Sequence, residues 1–115
     1  MEILTYELRI NTEEAFYERV STIIGLKPKD YKYGWSYEIV FEEQKEYFDI
    51  IAKFLDSLEG KYEQLRKLGI KNEDITVWLI YGYNNQCNME FEPNILARLG
   101  DKRIKLCISC YEAGE

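Results

Sequence analysis

The chain has 115 residues, 46% of them apolar, including ten Tyr, five Phe and two Trp, which places it with globular domains and excludes the disordered class. Its 21 acidic and 15 basic side chains give a formal net charge of −6, which opposes nucleic-acid and anionic-membrane partners. There is no histidine, so the commonest general base at neutral pH is absent, along with every Ser-His-Asp or Cys-His arrangement.

Residues 3–10, ILTYELRI, alternate. Leu4, Tyr6, Leu8 and Ile10 share one side and Thr5, Glu7 and Arg9 the other, as a half-buried strand requires. NTEEAFYERVSTII follows. Its expected N-cap is Asn11 or Thr12, with acidic residues in the first turn. Phe16, Val20, Ile23 and Ile24 supply a helical stripe. Gly25 ends this helix and Pro28 prevents its continuation.

The stretch YKYGWSYEI, residues 31–39, places Tyr31, Tyr33, Trp35 and Tyr37 at alternate positions. From Trp35 onward the period of two predicts Trp35, Tyr37, Ile39 and Phe41 inward, with Ser36, Glu38 and Val40 outward. The spacing then changes to three and four. Phe48, Ile51, Leu55, Leu58, Tyr62 and Leu65 mark one helix face, and Gly60 predicts a break into a long and a short helix, ending near Gly69.

DITVWLIYGY puts Ile75, Val77, Leu79 and Tyr81 on one side and Thr76, Trp78, Ile80 and Gly82 on the other. It is the most apolar strand, so it belongs inside the sheet. After the polar loop NNQCNMEFE, Pro93 opens a short helix that Gly100 is expected to close. The last strand, RIKLCISCY, points Ile104, Leu106, Ile108 and Cys110 inward.

The expected architecture is a single α+β domain over residues 1–115, with element order β-α-β-α(α)-β-α-β. Four strands with one apolar face each, and helices with one apolar stripe each, predict a two-layer sandwich. The four-stranded sheet is antiparallel or mixed, with helices packed on one face. No apolar run approaches the ~20 residues of a membrane span. The N-terminus lacks a basic segment and cleavage site, and three cysteines without an export signal fit a reducing cytoplasm.

Several of these features line up with a known family. IIGLKP at residues 23–28, Gly34 followed by WSYEIVF, YEQLRKLGI, the short ILARLG helix and a terminal strand ending at Tyr111 resemble the bacterial family catalogued as domain of unknown function 4279. The resemblance spans nearly the whole chain. In that family a Thr usually follows the proline; here the position is Lys29, and the loop from Pro28 to Trp35 is short. The resemblance implies a fold of this kind, but no known activity and no functional residues.

The candidate chemistry is sparse. CISC, residues 107–110, has Cys-x-x-Cys spacing, but residues three apart on a strand face opposite sides, so Cys107 and Cys110 should diverge. Cys87 alone could add a third sulfur, and no metal site or cofactor is expected. Glu7, Glu38 and Glu42, near Arg9, could do carboxylate chemistry, but the simpler expectation is solvated sheet-face charges with cross-strand partners. No phosphate-binding loop, dinucleotide fingerprint or nucleophile elbow appears, so no catalytic residues are assigned and the chain is not expected to be an enzyme.

Two binding readings remain. Trp78, Ile80, Val40 and Tyr111 fall on the wet side of the sheet, and on adjacent strands they would form a patch. A protein partner, a homodimer or loop 25–34 could cover it. The leading expectation is a protein-interaction module using this face, immunity-like in masking a partner with an acidic surface. The alternative is a small-molecule sensor at the aromatic and lysine loop 27–37, with Tyr31, Lys32 and Tyr33 in its wall.

Overall fold

The structure, a computed structural model, describes residues 3–31, 34–41 and 47–113, with residues 47–49 described by backbone only. Four strands are present among the described residues: β1 (Ile3–Ile10), β2 (Trp35–Phe41), β3 (Ile75–Tyr83) and β4 (Lys105–Glu112). The helices are α1 (Tyr17–Ile24), α2 (Tyr47–Leu58), α3 (Tyr62–Lys67) and α4 (Pro93–Asp101). The strands form one mixed sheet in the order β2-β1-β3-β4. β1 is antiparallel to both β2 and β3, whereas β4 lies parallel to β3. That parallel step needs a crossover, and α4 supplies it.

The register decides which side chains share a face. Ile10 pairs with Trp35 and Ile75, Leu8 with Tyr37 and Val77, Tyr6 with Ile39 and Leu79, and Leu4 with Phe41 and Tyr81. The helices cover this face and form one core with it, through Val20, Ile24, Ile51, Phe54, Leu58, Leu65, Ile95 and Leu99. The result is an α+β fold of two layers, helices on one face of a four-stranded sheet. β3, the most apolar strand, lies inside it. Trp35 is core: it is buried and its indole Nε1–H donates to Ser21 Oγ of α1 at 3.0 Å.

Two glycine breaks fall where the sequence puts them. Gly25 (φ 83°) caps α1, its N–H donating to the Ser21 carbonyl. Gly60 (φ 76°) separates α2 from α3. At these angles a side chain would strain the backbone.

Three local expectations are corrected. Neither Asn11 nor Thr12 caps α1, because a 3₁₀ turn at Glu14–Phe16 intervenes and its cap position is Glu13. Gly100 does not close α4; the helix runs to Asp101, and Arg103 (φ 60°) makes the left-handed turn into β4. On β4, Ile104 is buried and Leu106 half-buried, but Ile108 is 46% exposed and Cys110 is also exposed. Ile108 and Cys110 pair with Leu79 and Tyr81, so they lie on the core side. They stay exposed because no helix among the described residues packs over this end of β4.

Candidate functional site

The opposite face of the sheet carries no helix among the described residues. Its four ladder rows follow from the register. Ser36, Arg9, Thr76 and Lys105 form the first, and Glu38, Glu7, Trp78 and Cys107 the second. Val40, Thr5, Ile80 and Ser109 form the third, and Ile3, Gly82 and Tyr111 lie in the fourth. The face therefore divides into a polar half and an apolar half.

The polar half is organised around Glu7. Glu7 is almost wholly buried, 4% exposed, although no helix among the described residues covers it. Arg9 Nε donates to Glu7 Oε1 at 2.6 Å, and Ser36 Oγ donates to the same oxygen at 3.2 Å. The Arg9 guanidinium lies 4.2 Å from the centre of the Trp78 ring, a cation–π contact. The Trp78 Nε1–H in turn donates to Thr76 Oγ1 at 3.2 Å. Residues two apart on a strand share a side, which lets Glu7 meet Arg9; the β2 and β3 neighbours then enclose the pair. The expectation of a solvated Glu7 is thus corrected, whereas Glu38 is exposed. Glu42 lies outside the described residues.

The apolar half holds the residues singled out in the sequence, but Thr5 of β1 lies between Val40 on β2 and Ile80 on β3. Val40 is 53% and Tyr111 47% exposed, with Ile80, Ile3 and Trp78 half-buried beside them. The Tyr111 ring lies across Gly82, close enough that a Cβ at that position would meet Tyr111 Oη at 2.5 Å. The missing side chain of Gly82 seats the tyrosine.

Loop 25–34 does not cover this half in its described part. Tyr31 packs on Tyr17 of α1, ring centres 4.6 Å apart, and its hydroxyl donates to Glu18 Oε2 at 3.4 Å. Tyr31 is therefore held against α1. Lys32 and Tyr33 lie outside the described residues. Lys27, Lys29 and Asp30 form one wall of a cleft of about 470 Å³, whose other wall is Glu7, Ser36, Tyr37 and Glu38. A second cleft of about 380 Å³ lies over the polar half between Arg9, Trp78, Lys105 and Asp74.

The cysteines divide as the strand period requires. Cys107 sits on the open face in the row of Trp78, while Cys110 points to the core side. There Cys110 Sγ lies 2.7 Å from Cys87 Sγ, in the loop after β3. Burial, and then the adjacent Cys87 thiol, push the Cys110 thiol up to about 11. That proximity of Cys87 to Cys110 was not legible in the sequence, because the path of the polar loop has no periodicity. No group of three or more Cys, Asp or Glu side chains among the described residues could hold a metal ion, and no helix among them is long and apolar enough to cross a membrane.

No family model, curated protein or solved structure matches the chain.

Proposed function

We propose that the chain is a non-catalytic protein-interaction module that docks a basic protein partner on the open sheet face. The observation that carries this reading is the placing of exposed Tyr111 of β4 beside Ile80 and Trp78 of the adjacent β3, near Arg9, with exposed Val40 on the same face across Thr5 of β1. Trp, Tyr and Arg are the residue types that dominate binding energy at protein interfaces, and an apolar centre with a polar rim is the usual anatomy. Four strands about 4.8 Å apart and about 25 Å long present roughly 500 Å² in projection, near the ~800 Å² per partner of a standard interface once the rim is added. The net charge of −6 favours a partner of opposite sign and faster association at low salt. An immunity-like protein masking a basic toxin is one concrete form of this reading.

The test begins with a protein that copurifies from the native host, followed by affinity measurement with the purified pair. Val40→Arg and Trp78→Ala should each weaken binding at least tenfold, and salt should weaken it further. Leu96→Arg, at an exposed position on α4 in the other layer, should leave it unchanged. Folded Val40→Arg and Trp78→Ala proteins that bind like the parent would overturn the assignment. A homodimer that Val40→Arg dissociates would replace the basic partner with a second copy.

The cleft beside Lys27 and Lys29 favours a second reading, a small-molecule sensor. Its wall has one aromatic, Tyr37, among mixed charges, and Tyr31 is not part of it. A small zwitterionic ligand would suit such a lining. A ligand panel that raises the melting temperature of the parent but not of Lys29→Ala would establish this reading; no shift with any ligand would remove it.

A further inference from the structure

We infer that Cys87 and Cys110 form a dithiol–disulfide site that excludes Cys107 and fastens the loop after β3 to the edge strand β4. The inference does not depend on what the open face binds. Three observations carry it. The two sulfurs lie 2.7 Å apart although they come from separate elements, a loop and a strand. Cys107 points to the opposite face of the sheet, in register with Trp78, so the short Cys-x-x-Cys spacing cannot close. Cys110 is exposed and Cys87 half-buried, so a small oxidant can reach the pair.

The chemistry balances with a low-molecular-weight disulfide as oxidant. A thiolate of the pair attacks one sulfur of that disulfide, forming a mixed disulfide and releasing one small thiolate. The second protein sulfur gives up its proton and attacks the protein sulfur of the mixed disulfide, releasing the second small thiolate. The protein loses two electrons and two protons, and the small disulfide becomes two thiols. Because Cys110 is held as a thiol well above neutral pH, oxidation should be slow at pH 7 and faster as pH rises.

The bond has a structural consequence. The loop residues Cys87, Met89 and Phe91 pack against the core, and among the described residues no helix lies over β4 beyond Leu106, leaving Ile108 exposed. A Cys87–Cys110 bond closes the segment containing α4 and β4 into a ring and prevents the edge strand from peeling away with its loop. Closing such a ring restricts the unfolded chain more than the folded one.

The experiment equilibrates the full chain with oxidised and reduced glutathione at several ratios, blocks remaining thiols with iodoacetamide and maps peptides by mass. The expected product lacks two hydrogens, links the Cys87 and Cys110 peptides, and carries the alkyl group on Cys107 alone. Cys107→Ser should form the same link. Cys87→Ser and Cys110→Ser should instead stop at a glutathione adduct. The oxidised parent should melt on the order of ten degrees above the reduced protein. A folded Cys107→Ser protein that stays alkylated at both remaining cysteines under fully oxidised glutathione overturns the site, as does a link through Cys107.

Discussion

The two faces of this sheet bury their residues by different means. On the covered face, Leu4, Tyr6, Leu8 and Ile10 of β1 are at most 2% exposed because helices lie over them. On the open face, Glu7 reaches 4% exposure with no helix above it among the described residues. Its neighbours close in from the sides, Arg9 along the strand, Ser36 and Glu38 from β2 and Trp78 from β3, with Lys27, Lys29 and Asp30 of the loop across the cleft. The first kind of burial rests on apolar packing and the second on a charge pair that its neighbours must complete. Only the second leaves an accessible surface, and that surface is where a partner can act.

Breaking the two kinds of burial should cost different amounts. Leu8→Ala removes a fully buried side chain from beneath the helices and should destabilise by about 3 kcal/mol, as cavity-forming substitutions do. Arg9→Ala leaves the Glu7 carboxylate with Ser36 alone and should cost about 2 kcal/mol. The Arg9 side chain is itself 28% exposed, so solvent offsets part of the loss. Glu7→Gln keeps an acceptor for Arg9 and should cost less than Arg9→Ala. Urea unfolding of the three variants measures all of this; an Arg9→Ala protein as stable as the parent would mean the pair contributes nothing.

Gly82→Ala sharpens the comparison on the open face itself. The new Cβ would lie within 2.6 Å of the Tyr111 ring carbon Cζ, so the ring must move. It is the end of a half-exposed side chain, so swinging outward should cost no more than about 1 kcal/mol. Partner affinity should nevertheless fall as in Tyr111→Ala, because the tyrosine has lost its seat. Binding unchanged in Gly82→Ala but lost in Tyr111→Ala would show that the ring's position does not matter.

What could be read in the sequence follows from periodicity. Alternation placed Trp35 and Tyr37 in the core and Val40, Trp78, Ile80 and Tyr111 opposite, because a period of two assigns faces whatever the strand order. Gly25 and Gly60 marked helix ends because their backbone angles suit glycine. The burial of Glu7 was not legible: it depends on Ser36 and Trp78 arriving from β2 and β3, and therefore on strand order. The exposure of Ile108 was hidden for the same reason, since alternation tells which side a residue faces but not whether anything covers that side. The sulfur contact depended on a loop path that carries no repeating signal.

The smallest expected effect comes from a second ion pair, one that water reaches. Glu73 sits in the turn before β3 and Arg103 in the left-handed turn before β4, with Arg103 Nε donating to Glu73 Oε2 at 2.8 Å. The pair ties together the entries of two parallel strands, but both side chains are largely exposed. The Arg103 hydrogen bond, helped by the backbone, holds the Glu73 carboxyl below its ordinary 4.5. A lowered folded value means that the unfolded chain binds more protons in that window, so stability rises with pH across it. The pair's contribution is complete above the ordinary value and is lost as pH falls through the folded one. Glu73→Gln should therefore lower the urea midpoint slightly at pH 7 and leave it unchanged at a pH below the folded value, where the parent carboxyl carries its proton. Equal losses at both pH values would mean that the side chain acts through packing and not through charge. Solvent screening should keep this pair well below the Glu7–Arg9 pair, and if Glu73→Gln cost as much as Arg9→Ala, enclosure by sheet neighbours would not be what strengthens the pair on the open face.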